Sequence, residues 1–289
     1  MRKLSLGLSA ALAGLAIVAW PGDSVQAQPT TGSAAEFERM QGFATVVVNH
    51  INETLGTENL PVANGGGVEP GVFVTVKMDE LLIFDQPVAK LQGGRSVDTT
   101  IAAECRSECP AAFYDPFQRS WLEAAVESTT FAVEIPQRVV LAVDRELPAA
   151  TLLQVVYAAA ETRPVQPPQL ALLVNNTRGS LRAKTFFVLP PEGIELRQGS
   201  AALGLTIEVG PGSYEVKAAD QGFARKNRVG AAAQLLPIIK GVKKRYPGKE
   251  TVILVPKGDV TVRELMTVAN TIAEEFPRLV LSAGQTVRI

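Results

Sequence analysis

Apolar residues fall into two kinds of run along this chain. Short unbroken runs read as buried strands: Phe73-Val74-Thr75-Val76, Leu81-Leu82-Ile83-Phe84, Val139-Val140-Leu141-Ala142-Val143 and Leu170-Ala171-Leu172-Leu173-Val174. Between them, apolar residues recur every three or four positions, the helical period. Leu152, Val155, Val156 and Ala159 mark the buried face of a helix over 148–162, and a second helix is expected around residues 121–126. A third stripe, Phe37, Met40, Ala44, Val47, Ile51 and Leu55, either packs on the domain that follows or pairs with a second copy. The Gly- and Pro-rich residues 64–71, beginning Asn64-Gly65-Gly66-Gly67, read as a linker.

The same order returns 113 residues later. Val252-Ile253-Leu254-Val255 falls on residues 139–142, and a helix over 261–274 falls on 148–161, with Leu265, Val268, Ala273 and Glu274 standing for Leu152, Val155, Ala160 and Glu161. At that offset Phe186 falls on Phe73, Glu192-Gly193 on the turn Asp79-Glu80, and Leu196 on Ile83. The closing strand at 279–281 matches 170–172 at an offset of 109, a connecting turn shortened by four residues. One spacing held from hairpin to helix points to an internal duplication. The expected fold class is α/β (α+β): two tandem β-β-α-β-α-β sandwich domains over 72–176 and 183–289, each a mixed sheet with helices packed on one face. Residues 28–71 form a linker with an amphipathic helix, and the two copies can form an intramolecular pseudo-dimer.

The first 27 residues concern location. Arg2 and Lys3 precede an apolar stretch over 4–19, Trp20-Pro21-Gly22-Asp23 interrupts it, and Val25-Gln26-Ala27 offers a small-x-Ala cleavage site, the layout of a signal peptide. A helix over 4–19 reaches about 24 Å, short of a hydrocarbon core of about 30 Å. Cleavage and export to the periplasm is the expectation, with an uncleaved anchor at the inner membrane as the alternative. Export bears on the two cysteines, Cys105 and Cys109, whose spacing lets them close a local disulfide staple. Free thiols are the alternative; the spacing is one residue longer than a redox C-x-x-C, and zinc would lack ligands.

With 289 residues, 46% of them apolar, the chain has ample material for folded cores, which excludes a disordered or collagen-like protein. A single histidine, His50, rules out multi-histidine metal centres and reads as a polar residue on an amphipathic segment. There is no G-x-S-x-G, P-loop or H-E-x-x-H motif, and the glycine run at 65–67 lacks the Lys and Ser/Thr of a phosphate cradle. Neither a catalytic residue, a metal nor a cofactor is assigned. The net charge of −1 argues against nucleic acid as a partner. That total is a cancellation: residues 28–182 carry 18 acids and 11 bases, net −7, and residues 183–289 carry 10 acids and 15 bases, net +5. The densest basic run is Lys240, Lys243, Lys244, Arg245 and Lys249, ending a helix that contains Leu235, Leu236, Ile238 and Ile239 and stops at Pro247-Gly248. Such bases either complement the helix dipole and face water, or hold an acidic partner or polyanion. Asp144, Glu146 and Asp259, at the ends of the apolar strands, either cap helix N-termini or work as acid/base pairs.

Taken together, a hairpin, a helix, an apolar strand ending in a polar turn (Val139-Val140-Leu141-Ala142-Val143-Asp144; Val252-Ile253-Leu254-Val255-Pro256-Lys257-Gly258-Asp259), an amphipathic helix and a closing strand resemble the periplasmic domain of the ExbD/TolR family of biopolymer-transport proteins. The resemblance covers most of 72–174 and 185–283 and rests on element order and apolar pattern more than on rare residues. It implies work beside a proton-driven inner-membrane motor, with envelope proteins of a TonB/Tol-like system or peptidoglycan as partners. Family members carry a membrane helix with a buried, proton-handling Asp; here the stretch over 4–19 has no acid and Asp23 lies outside it, so that role does not carry over. The periplasmic domain also occurs twice instead of once. The function this implies is a non-enzymatic exported binding or scaffold protein, associated with envelope biopolymer transport or energy transduction. A membrane-anchored component of the motor complex is the alternative, and a carboxylate-based enzyme a third.

Overall fold

A strand can be apolar at every position only where both of its faces are covered, and the first half of the chain meets that condition. The computed structural model describes residues 34–131, 137–163, 168–190, 193–195, 204–218, 227–284 and 287–288, so the export segment expected at 1–27 lies outside the described residues. Strand β5 (Arg138–Val143) runs parallel between β1 (Val72–Val76) and β6 (Gln169–Asn175), and β1 continues outward as a meander of β2 (Glu80–Ile83), β3 (Gln86–Gln92) and β4 (Arg95–Ser96). Helices α2 (Ala111–Phe131) and α3 (Ala149–Glu161) cover one face, where Phe113, Phe117, Leu152 and Val156 join a core with Val74, Val139, Leu141 and Leu172. On the other face lies α1 (Ala34–Thr54), whose Val47, Ile51 and Leu55 pack with Phe73, Val140, Ala142 and Leu173. The stripe on α1 is thus core; the side chains of Phe37 and Met40 lie outside the described ones.

The second half comprises β9 (Thr206–Gly210), β10 (Ser213–Lys217), β11 (Asn227–Val229), α4 (Leu235–Arg245), β12 (Thr251–Pro256), α5 (Val262–Ile272) and β13 (Arg278–Leu281). Its strand order β11-β10-β9-β12-β13 matches β3-β2-β1-β5-β6 in sequence of elements and in every parallel or antiparallel pairing. Strand β12 begins 113 residues after β5, and β13 begins 109 after β6. The first hairpin departs from the offset. Phe186 lies in a separate strand, β7 (Leu181–Val188), while Glu192 and Leu196 fall outside the described residues. The place of β1 is taken by β9, which pairs parallel with β12 and antiparallel with β10. Because β9 alternates buried and half-buried residues, Ile207 and Val209 inward against Thr206 and Glu208 outward, it lacks the unbroken apolar run of β1. Each half also carries a third meander strand beyond the expected six elements; in β3, Pro87 and Lys90 break the apolar signal.

Strand β7 is the joint. It pairs antiparallel with β6 over six residues and parallel with β13 at Phe187 and Val188, giving one twelve-stranded mixed sheet in the order β11-β10-β9-β12-β13-β7-β6-β5-β1-β2-β3-β4. The two sets of elements therefore share one sheet, and α2, α3, α4 and α5 contribute to one continuous apolar core, where separate sandwiches were expected. Strands β8 (Ile194–Glu195) and β14 (Val287–Arg288) form a separate two-stranded pair. The expected linker at 64–71 is also structured: Gly66 exchanges both backbone hydrogen bonds with Ala183 of β7, at 2.9 and 3.1 Å.

The turns entering α3 and α5 pair with each other. Ala149 N–H donates to Val260 O at 2.8 Å and Val262 N–H to Leu147 O at 2.9 Å, so Pro148 faces Thr261, its counterpart 113 residues on. Thr261 also caps α5: its Oγ1 accepts Glu264 N–H at 3.2 Å, and the Glu264 carboxylate accepts Thr261 N–H at 2.8 Å. Replacing a capping hydroxyl costs about 1 kcal/mol. Thr261→Ala is expected to lower the stability measured by urea unfolding by about that amount, and Thr261→Ser to restore most of it.

Candidate functional site

The carboxylates at the strand ends do converge, and they meet at the seam between the halves. Asp144 accepts the N–H of Glu146 at 2.8 Å and thereby shapes the turn after β5. Glu146 lies 3.0 Å from the Arg263 guanidinium at the start of α5 and 3.4 Å from that of Arg145, while Arg263 N–H donates to Arg145 O at 2.8 Å. Asp259, after β12, accepts from Arg95 of β4 at 2.6 Å. The turn before β4 is held against the same place: Gly94 has a φ of 74° and an added Cβ would sit 2.6 Å from Pro148 Cδ, so only glycine fits. Each of the three acids is thus matched by a donor across or within the seam, an arrangement that stitches backbone turns together. Glu146 and Asp259 keep 42% and 85% of their side-chain surface exposed, so these are surface ion pairs across the seam.

Cys105 and Cys109 are joined as a disulfide with Cα atoms 5.8 Å apart. The loop they close docks on the C-terminal end of α3 through Glu161, a buried carboxylate that accepts N–H bonds from Arg106 at 2.6 Å and Ser107 at 3.0 Å. Glu274, the residue set opposite Glu161 in the repeat, is exposed. The disulfide loop therefore adds to the first half something the second does not share, and Glu161 is its anchor.

The basic run divides in two. Helix α4 buries Leu235, Ile239 and Val242 and exposes Lys240, Lys244 and Arg245. Lys243 Nζ donates to Lys249 O at 2.7 Å and lies 5.4 Å from the centre of the Phe276 ring, closing the helix end. Arg245 lies over Tyr246 at 5.4 Å. Lys244 and Arg245 sit in the last turn of the helix, where the dipole favours cations, and Lys240 lies one turn before Lys244.

His50, read as a polar residue on an amphipathic segment, proves to be a clamp. Its Nδ1 lies 2.7 Å from Asp85 in the β2–β3 turn, its Nε2 lies 3.1 Å from Thr75 Oγ1 in β1, and its ring stands edge-on to Phe73. The hydroxyl–imidazole–carboxylate order resembles a hydrolytic triad, but Thr75 has no exposed surface, so its hydroxyl meets no substrate.

One feature escaped the sequence reading: a polar cleft of about 380 Å³ beside β7, lined by Asn64, Gly65, Gly66, Gly67, Glu69, Arg138, Ala183, Lys184, Thr185 and Pro277. Arg138 is paired with Glu69 and donates to Gln169 Oε1 at 2.7 Å. Lys184, half-buried, forms neither a hydrogen bond nor an ion pair among the described residues, and burial pushes its ammonium below the ordinary lysine value. The available signal was strand parity, since Lys184 shares a strand face with the buried Phe186 two residues on. Among the described residues, no three His, Cys, Asp or Glu side chains group as metal ligands, and no helix is long and apolar enough to cross a membrane.

No family model and no curated protein matches the chain. A solved structure of the ethanolamine utilization protein EutJ from Carboxydothermus hydrogenoformans aligns at 12% identity over 84% of this chain and 94% of that one, with a TM-score of 0.21, at which neither fold nor function transfers.

Closing a five-residue loop restricts the unfolded chain by about 2 kcal/mol, and a hydrogen bond to a charged carboxylate contributes about 1.5–3 kcal/mol. In urea unfolding, replacement of both cysteines by serine is expected to lower stability by about 2 kcal/mol. Glu161→Ala should cost a similar amount. The combined variant should lose less than the sum, because both changes release one loop.

Proposed function

We propose that the chain is a non-enzymatic binding or scaffold protein of the cell envelope, built by internal duplication, with the exposed basic end of α4 as its contact face. The observation that carries this reading is the disposition of Lys240, Lys244 and Arg245, which project from a helix whose apolar side is buried, in the half of the chain that carries net +5. The strand-end acids Glu146 and Asp259 instead pair with Arg263 and Arg95 at the seam. The repeated strand order and the pairing of Pro148 with Thr261 support duplication. A disulfide supports an oxidising compartment, in keeping with the export segment read from residues 1–27. The partner is an acidic component of the envelope: peptidoglycan, or a protein of a TonB/Tol-like system as the ExbD/TolR resemblance implies.

Lys240→Glu combined with Lys244→Glu reverses this face without touching the core, so the stability lost should be about 1 kcal/mol, from reversing a charge in the last turn of the helix. Co-sedimentation with purified peptidoglycan and recovery of envelope proteins from membrane extracts, each at low and high salt, separate the two classes of partner. Wild-type protein is expected to retain one of them at low salt, and the reversed variant to lose it by about tenfold or more. Equal retention by the variant, or no retention by the wild type, removes the reading.

A further inference from the structure

The glycines beside β7 pose a question that the fold does not answer. Gly65 is required, because an added Cβ would lie 2.6 Å from Ala183 O. Gly66 and Gly67 are different: neither has a φ in the left-handed region, and an added Cβ at either position meets nothing within 4 Å. A side chain would fit at both and would reduce the freedom of the unfolded chain, which favours folding. Bare backbone at these two positions instead keeps open the wall of the cleft that Lys184 also lines.

The charges in that cleft do not cancel. Its charged lining residues are Glu69, Arg138 and Lys184. Arg138 is neutralised by its ion pair with Glu69 and further held by Gln169. Lys184 is left with one positive charge and no hydrogen-bond or ion-pair partner among the described residues. A half-buried ammonium is costly unless something supplies the missing charge. Thr185 and Asn64 add a hydroxyl and an amide along the same walls.

We infer that this cleft binds a small organic monoanion, a carboxylate whose charge is met by Lys184 and whose body occupies the space left by Gly66 and Gly67. The volume of about 380 Å³ suits a small organic molecule. Charge sets the valence: one negative charge balances Lys184, whereas a dianion brings excess charge next to the Glu69 carboxylate. This site is separate from the basic end of α4, and its occupancy is independent of that face.

The test is an NMR titration of the full chain with three probes: N-acetylalanine, its uncharged amide, and inorganic phosphate. N-acetylalanine is expected to give saturable shifts of the Gly66, Gly67 and Thr185 amides with a Kd of about 1 mM. The amide should give none, and phosphate should bind more weakly. Lys184→Met should weaken carboxylate binding by about tenfold or more, and Lys184→Arg should recover part of it. Gly66→Ala with Gly67→Ala should weaken binding while leaving the urea midpoint unchanged or raised, a result that collapse of the fold cannot mimic. The inference is overturned by an absence of saturable shifts, by equal shifts from the amide, by phosphate binding more tightly than the carboxylate, or by Lys184→Met binding as well as the parent.

Discussion

Two backbone hydrogen bonds, between the turn entering α3 and the turn entering α5, set the geometry on which the remaining packing depends. Leu147, Ala149, Val260 and Val262, which supply the four groups, are all fully buried. Each bond contributes a net of about 1 kcal/mol, but breaking the pair would leave four backbone groups without partners in a dry interior, where each costs more than the bond returns. Because the pairing joins equivalent positions, helices from both halves arrive on the same side of the sheet, and their apolar faces merge into one core. Strand β7 closes the remaining gap between β6 and β13, and Tyr157 of α3 ties the end of β7 by donating to Leu189 O at 2.8 Å. The ion pairs at the seam lie outside this buried frame: Arg95 and Asp259 are largely exposed, and pairs of that kind contribute little to stability.

The two halves differ most in what covers the far face of the sheet, and that difference controls how much of the fold can be read from the chain. Under α1 the strands of the first half are buried on both sides, so β1 and β5 appear as continuous apolar runs. In the second half β9 and β10 keep polar groups outward, with Lys217 of β10 lying 2.8 Å from Glu208 and 3.4 Å from Glu215, so the same topological positions carry an alternating pattern. The apolar residue 113 positions after Phe73 is therefore Phe186 in β7, which belongs to neither meander. The deeply buried elements, β5 with β12 and α3 with α5, kept both their pattern and their spacing because helix packing constrains them alike.

The candidate sites were legible in proportion to how local they are. A pair of cysteines four apart and a cluster of bases over ten residues can be seen in any short window, and the acids at the strand ends are found as soon as the strands are. What opposes Glu146 and Asp259 cannot be seen, since Arg263 and Arg95 reach the seam from elements distant in sequence. The cleft is the extreme case: its walls come from residues 64–67, 69, 138, 183–185 and 277, with no motif linking them. Its most visible part, the run of glycines, reads as a flexible connection unless the strand it lies against is known.

The outer strands of the sheet are short, β4 with two residues and β11 with three, and β4 pairs with only Leu91 and Gln92 of the seven-residue β3. A long open edge is a template for pairing with another chain, and the stretch of β3 beyond β4 carries two residues that blunt it: Pro87, which has no N–H to donate, and the exposed Lys90. A neighbouring copy laid along β3 would therefore meet a missing donor and a charge where a ladder needs hydrogen bonds.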